Sequence, residues 1–170
     1  MLNNLENTLK RHGVFRSDKM TGTTVGTHLV SLRYDTDIDN GHILAVGELE
    51  EYSREVRTAS IPTASTPKDR LVICGSEEII KDVPSHDIFE FYNKAGRIIR
   101  GYRFAQFDEF SVTKNCLIDD GDGAEIGHFA VLTGGTKMHI SATETGTVIG
   151  RVIDIEMESN GNEFVVIQVI

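Results

Sequence analysis

The sequence has no tryptophan and only two cysteines among its 170 residues. Cys74 and Cys116 each lie in a short apolar run typical of a strand, so we expect two buried, reduced thiols. Without tryptophan, the core has to be built from valine, isoleucine, leucine and the eight phenylalanines. Apolar residues make up 39% of the chain, which is unlike the composition of a disordered protein and predicts one folded body.

Basic residues are also scarce, at 17 lysines and arginines against 26 aspartates and glutamates, for a formal charge of -9. Such a surface repels a phosphate backbone, so we expect no nucleic acid partner. One local basic cluster stands among acidic neighbours and consists of Lys94, Arg97, Arg100 and Arg103. We interpret this cluster as a mixed, solvated face, and a contact for an anion or a partner is the alternative.

Long apolar runs are absent, and none approaches the roughly twenty residues that are needed to span a bilayer. The N-terminal residues do not form a leader in which a cationic stretch is followed by an apolar one. These two absences predict a soluble protein that is made in the cytoplasm and has no membrane partner.

Motifs of catalysis are missing too, since there is no nucleophile elbow, glycine-rich phosphate loop, Cys-x-x-Cys pair or helix-borne zinc-protease pattern. We therefore expect neither an enzyme nor a bound cofactor. Ser, His and Asp side chains that converge only in the fold are the alternative. A pocket that gathers His128, His139 and the acidic loop of residues 119–123 would favour an enzyme or a ligand-binding domain.

This acidic loop, with the sequence DDGDG, has carboxylates at alternate positions as a calcium loop does. Counting from Asp120, however, puts Val131 at the twelfth position, where a calcium loop requires a bidentate glutamate. His128 and His139 flank one hairpin, but no cysteine accompanies them at the spacing of a zinc site. We predict a solvated turn and no metal site, with a bound cation as the open alternative for the loop.

What the sequence does contain is a pair of similar segments. Residues 41–47 are GHILAVG and residues 127–134 are GHFAVLTG, and acidic turn residues precede both. Each segment is typical of a β-turn that leads into a short buried strand. Chance similarity is the alternative to a duplication, and the interpretation as turn and strand holds in either case.

Short apolar runs between turn signals recur along the chain at intervals of roughly eight to twelve residues, which predicts an all-β fold, either a small barrel or a sandwich. Gly101 suggests a β-bulge in its run. The last run is so apolar that it has to be paired and covered, at the centre of the fold or in a subunit contact. The predicted strands are residues 29–32, 43–49, 56–61, 71–74, 97–104, 107–112, 129–132, 137–141, 147–156 and 164–170.

The start of the chain differs from the rest, and we predict an N-terminal arm at residues 1–27 ahead of a β-rich domain at residues 28–170. Three leucines at helical spacing predict a short helix in residues 1–12, which has to dock on the body or on a partner because it is marginal alone. The residues that follow are rich in Thr and Gly and predict an extended segment. The candidate partner contacts are Leu2, Leu5, Leu9 and Phe15.

Three stretches of the β-rich part share their pattern with a known class of protein. They are residues 39–47 (DNGHILAVG), residues 91–102 (FYNKAGRIIRGY) and residues 149–156 (IGRVIDIE). Together they resemble the head-decoration, or capsid-stabilising, proteins of tailed bacteriophages. The likeness extends over residues 28–170 and is one of pattern rather than of an invariant chemical motif.

This resemblance implies a β-rich body on the outside of the capsid, an arm across the major capsid protein, here residues 1–27, and no catalytic residues. We therefore expect a virion protein, made in the host cytoplasm, that binds and stabilises the mature capsid and self-associates, with a trimer favoured. The alternatives are another virion module, such as a head-fibre base or a tail component, and a small β-barrel ligand-binding domain or enzyme.

Overall fold

The computed structural model describes residues 11–79, 87–159 and 161–170 as an all-β fold. Its strands are β1 (Phe15–Lys19), β2 (Leu29–Arg33), β3 (Ile43–Leu49), β4 (Val56–Ser60), β5 (Leu71–Cys74), β6 (Ile98–Arg103), β7 (Glu109–Thr113), β8 (Phe129–Leu132), β9 (His139–Ser141), β10 (Thr147–Met157) and β11 (Glu163–Val169). The helices of this described part are short 3-10 turns, and none of them is long and apolar enough to cross a membrane. The predicted all-β class is confirmed, and each of the ten predicted strand ranges overlaps one of β2 to β11.

The strands form two layers, a barrel and a sheet, and the chain starts in the sheet, forms the barrel and then returns to the sheet. Strands β2 to β6 close into a barrel in the order β2-β4-β3-β5-β6, in which β2 and β4 are parallel and the other pairs are antiparallel. Strand β1 joins the later strands in an antiparallel six-stranded sheet with the order β1-β7-β11-β10-β8-β9. The barrel is therefore inserted in the chain between two neighbouring strands of the sheet.

Strand β5 is buried on both of its faces. Leu71 and Ile73 belong to the core that the barrel shares with the sheet, whereas Val72 and Cys74 belong to the barrel interior. Successive side chains of a strand point to opposite faces, so this strand separates two cores. Double burial explains why its sequence is a continuous apolar run instead of an alternating one.

The larger core lies between the barrel and the sheet. Its main members from the barrel are Ile43, Leu71, Ile73 and Tyr102, and those from the sheet include Phe110, Val112, Leu132, Ile149 and Ile167. The smaller core fills the barrel with Val30, Leu32, Ile38, Leu44, Val72, Cys74 and Ile99. Burial of apolar surface is the main favourable term in folding, so the shared core joins barrel and sheet into one body.

The last strand is central to the sheet, as its composition predicted. Strand β11 lies between β7 and β10 and pairs with both. Four of its side chains are buried, and these are Phe164, Val165, Ile167 and Val169. The strand is thus paired on both edges, which removes the edge that an apolar strand would otherwise offer for aggregation.

The predicted arm is not separate from the body over its described residues. Strand β1 pairs with β7, and Phe15 lies opposite Val112. The Phe15 ring is buried and packs on Tyr102 and Phe110, at centroid distances of 5.4 and 6.0 Å. The boundary at residue 28 is therefore corrected, and Phe15 is a core residue rather than a surface contact for a partner. Leu2, Leu5 and Leu9, with most of the predicted helix, lie outside the described residues.

Gly101 does not mark a bulge, because β6 pairs without interruption with β2 and with β5 around it. A Cβ at this position would lie 2.9 Å from Val72 Cγ2 and 3.0 Å from Leu32 Cδ1. Both neighbours belong to the core of the barrel. The glycine is thus required by close packing inside the barrel and not by an irregular backbone.

Gly101→Ala is expected to lower the free energy of unfolding by about 1–3 kcal/mol, because the added methyl group overpacks a filled barrel. Chemical denaturation measures the change. Gly26→Ala is the matched control, since a Cβ there meets no atom within 4 Å, and it should shift the stability by no more than about 0.5 kcal/mol. Equal stability of the two variants would contradict this account of the barrel interior.

Phe15→Ala should cost about 3–5 kcal/mol, because it leaves a cavity in the shared core. Phe107→Ala makes the same change at a position that is 70% exposed, and there we expect a loss within about 0.5 kcal/mol. Thermal and denaturant unfolding of the two variants compare them directly. A Phe15→Ala protein as stable as Phe107→Ala would mean that the first strand is not part of the folded body.

Candidate functional site

The two similar segments are used in the same way, one in each layer. Gly41 has φ of 83° and Gly127 has φ of 95°, which is the left-handed region that favours glycine. Two residues later the chain enters β3 of the barrel and β8 of the sheet, at Ile43 and Phe129. The predicted turn and strand are confirmed for both segments.

The histidines of these segments make local contacts rather than a metal site. His42 Nδ1 lies 3.2 Å from Thr136 Oγ1, and His128 Nε2 lies 3.7 Å from Glu125 Oε2. His139 begins strand β9. Among the described ranges of the chain, no three His, Cys, Asp or Glu side chains are grouped so that they could hold a metal ion.

The acidic loop folds as an exposed turn. Asp119 and Asp120 have φ of 52° and 50°, which places two non-glycine residues in the left-handed region. Their side chains and that of Asp122 are exposed, while Gly121 is buried against Leu117. The exposed carboxylates are solvated, as expected of a turn between strands.

A buried histidine anchors the chain where it enters the fold. His12 Nδ1 lies 2.7 Å from Asp39 Oδ1, and Gly13 N donates a hydrogen bond to Asp39 Oδ2 at 3.1 Å. His12 N donates to Phe89 O at 2.7 Å, and the imidazole stacks on the Tyr92 ring at a centroid distance of 4.7 Å. These contacts attach the N-terminal segment to two loops of the barrel.

Cys116 lies beside this anchor, where the N-terminal segment, the barrel and the sheet meet. A Cβ at Gly13 would lie 2.3 Å from Cys116 Sγ, and one at Gly41 would lie 2.7 Å from it. The thiol donates to Asn40 O at 3.3 Å. The predicted strand around Cys116 is wrong, because Lys114–Cys116 is a 3-10 turn that brings the thiol between the two glycines.

Cysteine, histidine and aspartate are the residue types of a nucleophilic thiol site, so the chemistry of this junction has to be considered. Burial raises the pKa of the Cys116 thiol to about 12, from an ordinary value of 9.0. Burial also raises the pKa of Cys74. The thiolate is the nucleophile in such sites, so a thiol that stays protonated at neutral pH serves packing instead.

One concave site of the described structure is a cleft of about 790 Å³ on the barrel, which we call the arginine cleft. It is lined by strands β2, β4 and β6 and by the ends of three connections, those before β2, before β4 and after β5. The lining residues used below are Thr27, Ser31, Glu55, Arg57, Ser76, Glu77, Ile98, Arg100 and Arg103. It contains neither His128, His139 nor the acidic loop, so the pocket that would have gathered these groups is not the one observed.

The three arginines of the cleft are held in different ways. Arg100 Nη2 lies 2.9 Å from Glu77 Oε1 in an ion pair. Arg57 Nη1 donates to Gly47 O at 3.4 Å, and Arg103 Nη1 donates to Asp69 O at 2.8 Å. Within the described ranges neither Arg57 nor Arg103 forms an ion pair with a carboxylate.

The basic cluster predicted from the sequence is thus divided by the fold. Arg100 and Arg103 are brought to the cleft, whereas Lys94 and Arg97 lie in the turn before β6 and do not line it. Arg57 completes the cleft from β4, which pairs in parallel with β2. Arg57 was not predicted to lie near the other two arginines, because the parallel pairing of β4 with β2 has no local sequence signal.

Two exposed aromatic residues have a left-handed backbone. Tyr52 is 98% exposed at the turn between β3 and β4 and has φ of 64°. That turn is held by Ser53, whose N donates to Glu50 O at 3.0 Å and whose Oγ accepts from Val56 N at 2.9 Å. A bulky residue at positive φ costs about 1–3 kcal/mol and persists only where the surrounding structure enforces it.

Phe107 is the second such residue, with φ of 71°. Its N donates to Val169 O at 2.9 Å, and the next residue, Asp108, is a buried carboxylate. Asp108 Oδ1 accepts from Thr21 N at 2.9 Å and from Thr21 Oγ1 at 2.6 Å, while Oδ2 accepts from Ala105 N at 3.1 Å. These bonds fix the turn so that the Phe107 ring is presented to solvent.

Comparisons of the chain with protein-family models, with curated proteins and with solved structures give no match in any of the three. Function has to be argued from the residues and their geometry.

Cys116 predicts a pH dependence of stability. Its pKa is higher in the folded state than in the unfolded state, so unfolding at alkaline pH releases a proton, and stability falls as pH rises from 9.0 towards about 12. A single such group contributes a slope of roughly 1.4 kcal/mol per pH unit. Denaturant unfolding at several alkaline pH values should show a shallower decline for Cys116→Ser than for the unmodified chain. Identical declines would show that the thiol ionises as easily in the fold as outside it.

Proposed function

We propose that this chain is a structural protein that binds the outer surface of a mature bacteriophage capsid and stabilises it through contacts with the major capsid protein. The observation that supports a binding role is the presentation of Tyr52 and Phe107 on strained, well-bonded turns. Aromatic side chains are the strongest anchors of protein interfaces. Exposing these rings on strained backbone does not stabilise the isolated fold. A partner that covers the rings would provide binding energy that offsets the strain.

The three segments that resemble capsid-decoration proteins take up structural positions in both layers. Residues 39–47 enter β3, residues 91–102 enter β6 and residues 149–156 lie in β10. Their shared pattern therefore describes the body of the protein, and the resemblance supports the proposal at the level of an all-β decoration module.

Stabilisation of the capsid follows from mass action. A protein that binds the mature lattice and not its precursor or its disassembled subunits lowers the free energy of the mature form in proportion to its binding. A rigid β body suits this role because little conformational freedom is lost on binding. We include self-association, with a trimer favoured, in the proposal.

A second candidate function is that of a ligand-binding domain, which the arginine cleft favours. Its volume of about 790 Å³ lies within the range of small-molecule sites. Such sites are mostly apolar, however, whereas this cleft is lined largely by charged and hydroxyl side chains. Its composition is closer to that of a polar contact surface.

Capsid binding tests the proposal. The protein should co-sediment with mature capsids and not with unexpanded precursors, and Tyr52→Ala with Phe107→Ala should weaken binding by about tenfold or more. Ile126→Ala, which removes another apolar side chain that is 66% exposed, is the control and should bind normally. Absence of binding by the unmodified chain would reject the proposal.

The arm is tested in the same assay by removing residues 1–10 alone. A larger deletion through residue 20 also removes strand β1 and the buried side chains of Val14, Phe15 and Met20, so it would confuse loss of binding with loss of fold. Full binding by the shorter deletion, with an unchanged melting curve, would assign the contact to the body rather than to the arm.

A further inference from the structure

The arginine cleft places positive charge on a chain whose formal charge is -9. Three other half-buried basic side chains, Arg16, Arg33 and Lys114, pair with carboxylates; Arg33 Nε, for example, donates to Glu50 Oε1 at 2.7 Å. Arg57 and Arg103 are half-buried, yet their hydrogen bonds go to the backbone carbonyls of Gly47 and Asp69. A guanidinium has five N–H donors, so each keeps donors for a further acceptor.

We propose that the arginine cleft binds an acidic segment of a partner polypeptide, with Arg57 and Arg103 receiving its carboxylates. Guanidinium and carboxylate groups match in a two-pronged geometry and form strong, charge-assisted hydrogen bonds. Both arginines project from strands of the closed barrel, which holds them in place before the ligand arrives. Thr27, Ser31 and Ser76 add hydroxyl groups along the same cleft.

The two glutamates of the cleft determine which kind of anion fits. Glu77 already pairs with Arg100, and Glu55 lines the cleft near Arg57 in sequence. Together with the net charge of the chain, these carboxylates repel a phosphate dianion or a nucleic acid backbone. A polypeptide segment carries single negative charges on its side chains, and its backbone N–H groups can donate to Glu55.

The apolar part of the lining also suits a polypeptide. Ile98 is one of the large exposed apolar residues of the chain, and it borders the cleft together with Leu29. An acidic segment with an apolar residue between its carboxylates would cover this surface while its charges meet the arginines. The inference rests on the proposed function only in that it makes the capsid protein the source of the segment.

Binding of a defined peptide tests the cleft without a capsid. The probe is a blocked peptide of alternating Glu and Ser, compared with a peptide of alternating Gln and Ser and with inorganic phosphate. Arginine Nε–Hε resonances in NMR spectra, recorded at about 150 mM salt to screen long-range attraction, report which arginines respond. We expect saturable shifts at Arg57 and Arg103 with the glutamate peptide and none with the glutamine peptide.

The matched variants remove the same charge at two places. Arg57→Gln with Arg103→Gln should weaken peptide binding by about tenfold or more, whereas Arg54→Gln with Arg97→Gln, both exposed and outside the cleft, should leave it unchanged. Melting curves confirm that both double variants fold. If the cleft variant does not fold, the site-specific shifts in the unmodified chain decide.

Three results would overturn the proposal. The first is the absence of saturable shifts with the glutamate peptide. The second is equal weakening of peptide binding by the two double variants, which would mean a general attraction between charges. The third is tighter binding of phosphate than of the glutamate peptide at Arg57 and Arg103. If the unmodified chain binds the glutamate peptide but not the capsid, the proposed function is rejected and the proposal for the cleft stands. Intact capsid binding by the unmodified chain, together with absent peptide binding by the same chain, would reject the cleft and leave the proposed function.

Discussion

The fold depends on a barrel wall that is buried from both sides. Strand β5 faces the barrel interior with one set of side chains and the six-stranded sheet with the other. Removing either neighbour would expose one half of a strand that has no polar residue among its four. Barrel and sheet therefore depend on each other through β5, which packs against both cores.

The junction at Cys116 extends this dependence to the N-terminal segment. Two glycines from different parts of the chain approach one thiol, and the His12 and Asp39 contact lies beside them. Each glycine needs its small size for a neighbour that is distant in sequence. The similar segments show this, because a Cβ at Gly41 would meet Cys116 whereas a Cβ at Gly127 would meet no atom within 4 Å. The two share a backbone conformation and differ in what surrounds it.

Local patterns predicted most of the strands because period, turn residues and apolar runs are properties of neighbouring residues. Burial of β5 follows from its unbroken apolar run, and the central position of β11 was predicted from a run that only Glu163 and Gln168 interrupt. Strand β1 was missed because FRSDK has one buried aromatic and a polar remainder, and it becomes a strand only through its pairing with β7. Gly101 was misread for the same reason, since the atoms that exclude a side chain there belong to β2 and β5. The arginine cleft was not predicted as a site, because only Arg100 and Arg103 of its arginines are near each other in sequence and Arg57 is far from both.

The insertion of the barrel between β1 and β7 also sets an order of events. Phe15 pairs opposite Val112, so the first strand has no partner until nearly a hundred residues after it have been made. The barrel strands lie between these two and can pair among themselves earlier, while the closure of so long a loop is entropically costly. During synthesis the first strand therefore cannot pair until β7 has been made, by which point all five barrel strands are already part of the chain. The pairing of residues 15–19 with β7 is thus the contact that closes the barrel segment of the chain into a loop.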